Sequence, residues 1–434
     1  MQPYVQAQST ITLSQAINDG LANRKNIIAG KLNVSLSKLQ TKALQHKYLP
    51  QVSAEYQYLY NPILPTSILP IGVFNPSFPI DATKSVQFGT NWSQSLGLTV
   101  TQPLLDLSIQ RYINEATLKE QIANLSQQQT EYELAYTIAQ TYIDIYLGEA
   151  KLKSLIVDTN RTYISYMLLK NRFDEKRLLK SDLNKAKINH NNMVQLFKDW
   201  TALLIEDKVY LIFLIGATEL KQWNFEIDTT FAMKYSIEII DNTIFTDQLS
   251  DLQQLTLQSQ LSDLQAKIER TKHLPTVGFK GYLGANQFSN LFNPIAANSW
   301  FGLSYIGLYV KTPILFGENT HNKIQQLKLQ SDQYNLQKED KKNQYKNDVF
   351  TVKLKIENKK LQLQTQKENI MLSKESINIF QARVKEGQES ASNLNLEEVS
   401  IQLLEADYEM NKKQLWVYWL DNLKKTGQLT YLWK

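Results

Sequence analysis

The sequence predicts a mixed α/β membrane protein made by internal duplication, each half supplying two amphipathic strands and one very long helical hairpin. Three observations carry this reading. A set of short motifs recurs about 210 residues downstream, apolar residues recur every seven positions along the longest segments, and between them apolar and polar residues alternate with a period of two.

The duplication is visible in SLGLTVTQPLLD, ending at Asp106, and YIGLYVKTPILF, ending at Phe316. Gly97, Leu98, Val100, Pro103 and Leu105 recur as Gly307, Leu308, Val310, Pro313 and Leu315, an offset of 210. Farther on, Arg172, Ser181, Leu183 and Gly216 recur as Arg383, Ser392, Leu394 and Gly427 at an offset of 211. Upstream, Tyr48 to Pro50 matches His273 to Pro275 at an offset of 225, so a length change falls in the connection between strands, where loops tolerate it.

The helices come next. Val349, Ile356, Leu363, Ile370, Ile377 and Val384 lie seven apart, and their counterparts Ile138, Ile145, Leu152, Thr159, Tyr166 and Phe173 are apolar at all but Thr159. A strict seven-residue repeat keeps one seam on a partner helix when the pair supercoils left-handedly. Punctuation sets the long helices at 106–177 and 317–388, each ~108 Å at ~1.5 Å per residue. Ser181 and Asp182, and Ser392 and Asn393, are the expected N-caps of returning helices at 181–216 and 392–427. These are half the length of the long helices. Segments 13–48 and 238–273 are therefore expected to cover the remainder, stacked end to end with the returning helices.

Between the helices the period becomes two. Val52, Ala54, Tyr56, Tyr58 and Tyr60 alternate with Ser53, Glu55, Gln57 and Leu59, and Phe88, Trp92, Leu96, Leu98 and Val100 alternate with Gly89, Ser93, Ser95, Gly97, Thr99 and Thr101. In the second half Val277, Phe279 and Leu283 oppose Lys280 and Tyr282, and Ile306, Leu308 and Val310 oppose Tyr309 and Lys311. Four strands are too few to close a barrel, which needs about eight. Several chains pooling strands would solve this, with the apolar face in lipid and the polar face lining water.

Composition removes other classes. Lys plus Arg number 47 and Asp plus Glu 42, a net charge of +5, too small for a generic nucleic-acid binder. Cysteine is absent, which excludes disulfides, thiol nucleophiles and Cys-ligated zinc. His46, His190, His273 and His321 hold unrelated repeat positions without a second ligand at helical spacing, and no phosphate loop or nucleophile elbow occurs, so no metal, no cofactor and no enzyme are expected. The longest apolar run, 209–217, falls short of the ~20 residues of a membrane-spanning helix. The opening MQPYVQAQST has neither a basic nor an apolar signal region, which fits a cytosolic chain or a mature form.

The order short helix, strand, loop, strand, long helix, short helix, twice, resembles the TolC family of outer-membrane factors over 11–429. The most specific matches are Gln102 to Asp106 with its copy 312–316, the tip Arg172 to Lys187, and the closing segment Glu386 to Leu429. The resemblance implies a homotrimer with a 12-stranded barrel in outer-membrane lipid and a periplasmic coiled-coil tube closed at its tip. It also implies an adaptor protein and an inner-membrane transporter as partners, and an exit duct for efflux or type I secretion with its signal segment removed. Expected divisions are 1–48, 49–105, 106–216, 217–235, 236–273, 274–316, 317–427 and 428–434. A soluble or secreted coiled-coil scaffold is the rival reading.

For the gate, the expected residues are Asp174, Arg177, Ser181, Asp182, Arg383, Glu386, Ser392 and Asn393, with charges of 174–177 facing those of 385–388. The acidic positions at the family's constriction fall on Asn393 and Leu396, so Asp182 is the alternative source of carboxylates. Glu397 and Glu398 read either as a solvated helix face or as gate lining. Thr99, Lys280 and Lys311 are the expected lumen residues.

Overall fold

In the computed structural model the described residues are 10–74, 77–217, 225–228, 230, 249–294, 300–314 and 319–433. Residues 238–248 of the second short helix, most of the connection 217–235, and Leu315, Phe316 and Gly317 lie outside them. The chain divides into two units, one of 1–35, 121–258 and 333–434 and the other of 36–120 and 259–332.

The second unit holds an antiparallel sheet. Its strands are β2 (Gln51–Tyr60), β5 (Trp92–Leu105), β7 (Thr276–Ser289) and β8 (Trp300–Lys311), in the order β2-β5-β7-β8. Residues opposite one another share a face: Val52 with Val100, Ala54 with Leu98, Leu98 with Leu283, Gly281 with Ile306, Phe279 with Leu308. That face is apolar. Ser53, Thr99 and Tyr282 are opposed in turn on the other face, and Tyr282 stacks on Tyr305 with ring centroids 5.5 Å apart. The Pro103 that would interrupt a regular ladder sits at a register shift between Pro103 and Leu105, the position where a sheet admits proline.

One strand is shorter than the alternation predicts. Gly89, at φ 109°, ends the run before Trp92, and β4 (Lys84–Gln87) pairs instead with β3 (Thr66–Leu69), separated from it by a single helical turn α3 (Ile71–Phe74). Phe88 donates its N–H to Pro65 O and therefore lies outside the main strand. The expected membrane face thus begins at Trp92.

The first unit is helical. The long helices α4 (Leu107–Asp174) and α7 (Asn319–Glu386) have 68 residues each, or ~102 Å, and contribute 121–174 and 333–386 to it. The returning helices are α5 (Lys180–Leu214) and α8 (Ala391–Thr426). None of the twelve seam positions is exposed, and Ile138, Ile145, Ile356, Ile377 and Val384 are fully buried even in one chain. The short first segment is not one helix. It breaks into α1 (Leu13–Asn23) and α2 (Lys25–Gln45) at Arg24, whose guanidinium stacks on the Phe213 ring at 3.7 Å and donates to Phe213 O at the end of α5. A cation at a helix C-terminus is favourable, and here it joins the stacked helices end to end. The second short segment appears as α6 (Ser250–Thr271), whose lead residue Leu249 packs beside Gly427 after α8. Gly216 and Gly427, repeat equivalents, both close their helices at left-handed φ of 77° and 78°.

The largest core collects α1, the middle of α4 and the ends of α5 and α8 around Tyr142 and Trp419, with β1 (Thr10–Ile11) paired to β6 (Glu226–Ile227) beside it. No helix among the described residues is long and apolar enough to cross a membrane.

The sheet faces predict opposite outcomes for two glycines. A Cβ on Gly284 would meet Tyr282 Oη at 2.5 Å and Leu96 O at 2.6 Å, whereas one on Gly302 meets nothing within 4 Å. Gly284→Val is expected to cost ~1–3 kcal/mol by overpacking and Gly302→Val close to nothing, measured as the midpoint of thermal unfolding in detergent.

Candidate functional site

The two hairpin reversals bring the expected tip residues to the surface. Each long helix ends with the same pair of backbone bonds: Lys176 N to Phe173 O and Arg177 N to Arg172 O, then Gly387 N to Val384 O and Gln388 N to Arg383 O. This closure needs a left-handed residue. The second tip uses Gly387 at φ 81°, while the first has Lys176, its repeat equivalent, at φ 61°. The N-caps also lie earlier than the sequence suggests. They are Leu179, which has no side-chain cap bond, and Ser390, whose hydroxyl accepts from Asn393 N at 3.1 Å. Ser181 and Asp182, and Ser392 and Asn393, already sit within the first turns. Because Leu179 and Ser390 are also repeat equivalents, the first tip carries two locally costly residues where the second carries two favourable ones.

The predicted charge pairing across the tips is not what joins them. Among the described residues neither Asp174 nor Arg383 forms an ion pair in the chain, Arg177 pairs with its neighbour Glu175 at 3.5 Å, and Asp182 pairs with Lys185 at 3.6 Å. The halves meet through Arg172, whose guanidinium donates to Val384 O, and through Asn395 Nδ2, which donates to Asp182 O at 3.4 Å. Behind these bonds lies an apolar cluster of Leu169, Ala186, Val384, Ala391 and Leu394. Glu386 and Lys385 are exposed beyond it. Asn393 is exposed and donates to Glu389 at 2.8 Å, and Leu396 is exposed, so neither family constriction position carries a carboxylate.

Farther along the seam is a polar contact that sequence reasoning missed. Glu398, 1% exposed, receives the Arg161 guanidinium and the Ser165 hydroxyl at 2.8 Å, and Arg161 also holds Asp158 at 3.3 Å. Burial raises the Glu398 pKa, opposed by Arg161 and Ser165. Glu398 is therefore neither a solvated face nor a gate lining, and Glu397 accepts a hydrogen bond from Ser373. The available signal was a failure of the repeat, since Arg161 corresponds to Leu372 and Glu398 to Lys187.

On the sheet, Thr99, Lys280 and Lys311 share the face opposite Leu98 and Leu283, and the Lys280 ammonium lies 5.9 Å over the Tyr305 ring. The apolar face is open in one chain: Leu98 is 47%, Leu283 64%, Ile306 81% and Leu308 71% exposed.

No protein-family model and no curated protein matches this sequence. Solved structures do. CusC, which forms a transmembrane channel, superposes with a TM-score of 0.78 at 14% identity over 96% of this chain and 92% of its own. The outer-membrane channel OprN gives 0.78 at 12% identity over 96% and 90%, and the outer membrane protein VceC of Vibrio cholerae 0.75 at 12% over 96% of both chains. The fold is that of outer-membrane channels.

Two predictions follow from the helical unit. Lys176→Gly with Leu179→Ser should tighten the first tip by ~1–2 kcal/mol, and Gly387→Ala, which strains φ and brings a Cβ to 3.2 Å from the Arg172 guanidinium, should loosen the second, both read as amide exchange at the reversals. Separately, Asp207 on α5 has its pKa raised to about 6 by burial first and then by Asp144. Its ionised form is thus penalised in the folded state. The penalty is absent below the unfolded value near 4 and full above about 6. Asp207→Asn should accordingly raise stability by ~1 kcal/mol at alkaline pH and leave it unchanged in strong acid, as followed by thermal unfolding across pH.

Proposed function

We propose that this protein is the outer-membrane exit duct of an export assembly, a passive homotrimeric channel with no chemistry of its own. Its tip is opened by a periplasmic adaptor joined to an inner-membrane transporter, and efflux of small molecules or type I secretion is the process served. The observation that carries this is the sheet. Four strands end at two unpaired edges, β2 and β8, and present one apolar and one polar face. In lipid such edges must be paired. Three copies joined β2 to β8 make twelve strands, enough to close a barrel with Leu98, Leu283, Ile306 and Leu308 toward lipid and Thr99, Lys280 and Lys311 toward water. The channel proteins of the same fold support this reading. A soluble scaffold would have to cover that apolar face, and no described element does so.

The tip geometry supports a gate that adaptor binding can open. Arg172 to Val384 O is a side-chain bond to a backbone carbonyl, easily exchanged for a partner's carbonyl or carboxylate without unpacking the buried seam.

The decisive test is a pair of adjacent substitutions. Leu98→Arg places a charge in lipid at a cost of ~2–4 kcal/mol and should abolish heat-resistant trimer, while Thr99→Arg, facing water, should not. Equal trimer yields from both would defeat the barrel assignment. In reconstituted channels Lys280→Gln with Lys311→Gln should shift permeability from anions toward cations. An unchanged reversal potential across a salt gradient would remove both lysines from the ion path.

A further inference from the structure

Between α4, α5 and α8, apart from the tip and the sheet, lies a cavity of about 300 Å³. This is the lower end of small-molecule sites. Its walls are apolar, formed by Leu147, Leu155, Met193, Trp200, Leu203 and Met410, and charged groups reach it from all three helices. From α4 come Asp144, Lys151 and Asp158, from α5 Asp207, and from α8 Glu405, Glu409 and Lys413.

The charges do not balance. Lys413 pairs with Asp144 at 3.0 Å, Lys374 with Glu405 at 2.9 Å, and Arg161 is shared between Asp158 and Glu398. Lys151, 5% exposed, acts on Glu405. Of the five carboxylates at the cavity, Asp207 and Glu409 hold no ion pair among the described residues. Asp144 and Glu405 meet their ammonium groups through one oxygen each, Oδ1 and Oε1, and Glu405 is only 6% exposed. Burial raises the pKa of Asp144, Asp207 and Glu405, so each gains from an added proton or cation.

We infer that this cavity binds a compact organic cation with an apolar body, its charged head against Asp207 and its body against Trp200 and the leucines. A bare metal ion would leave the apolar walls unfilled, and a neutral hydrocarbon would leave the carboxylates without a counter-charge. Trp200, in the wall, is of the side-chain type that cations favour. Such a ligand would contact both hairpins at once, because α4 and α5 belong to the first repeat and α8 to the second. The site is independent of the barrel reading, since it uses no residue of the sheet or the tip.

Calorimetric titration of the detergent-purified full chain with three compounds sharing one cage, 1-adamantylammonium, 1-adamantanol and 1-adamantanecarboxylate, tests this directly. The ammonium should bind once per chain, about tenfold or more tighter than the alcohol, with no binding of the carboxylate. Asp207→Asn should weaken the ammonium about tenfold without affecting the alcohol, with Glu409→Gln as the second variant. Ala406→Phe, which fills the cavity and keeps every charge, should abolish binding of both. Affinity for the ammonium should fall as the pH is lowered through about 6, where Asp207 gains its proton. Equal affinity for all three compounds, or ammonium binding unchanged in Asp207→Asn and Ala406→Phe, would overturn the assignment.

Discussion

The apolar repeat of seven residues is the constraint on which the helical unit rests. A helix of 68 residues cannot be held by one globular core, so its position must be fixed by contacts distributed along its length. The seam supplies them at every second turn, and a repeat of seven, slightly short of two turns of 3.6, keeps them aligned only through supercoiling. Everything attached to the helices inherits that geometry. The reversals after Asp174 and Glu386 are brought side by side because α4 and α7 share length and repeat, and Arg172 can reach Val384 O only in that register.

What could be read from the sequence is what obeys a period. The seam, the duplicated glycines at 216 and 427 and the two sheet faces each follow from spacing, because burial of one face acts on every residue of an element alike. What could not be read depends on single long-range contacts. The break at Arg24 is stabilised by Phe213, 189 positions away. Phe88 leaves its strand because Gly89 turns the chain and Pro65 offers a carbonyl. The N-caps are misplaced for a related reason. Ser181 and Asp182 have the right side chains, but Leu179 occupies the capping position, since the left-handed turn at Lys176 dictates where the chain reverses. At the tip, charge suggested pairing across the hairpins, whereas the bonds formed run to backbone carbonyls that no side-chain pattern announces.

The same distinction explains why the halves of a duplicated chain do not pair indiscriminately. Two hairpins with identical apolar seams could each associate with a copy of itself, and the seam alone would not choose. The contacts that join unlike halves here are the ones the duplication lacks. Arg161 with Glu398 becomes Leu372 with Lys187, Asp144 with Lys413 becomes Lys355 with Ala202, and the Tyr136 hydroxyl that donates to Asp421 at 2.7 Å becomes Asn347 with Tyr210. Charged pairs survive in one combination only. Buried polar groups add little net stability, but leaving one unpaired is expensive, so they select partner and register where apolar packing is permissive. Within one chain, the choice of the unlike hairpin as partner therefore rests on polar contacts that the internal repeat does not reproduce, while the apolar seam that it does reproduce supplies the packing.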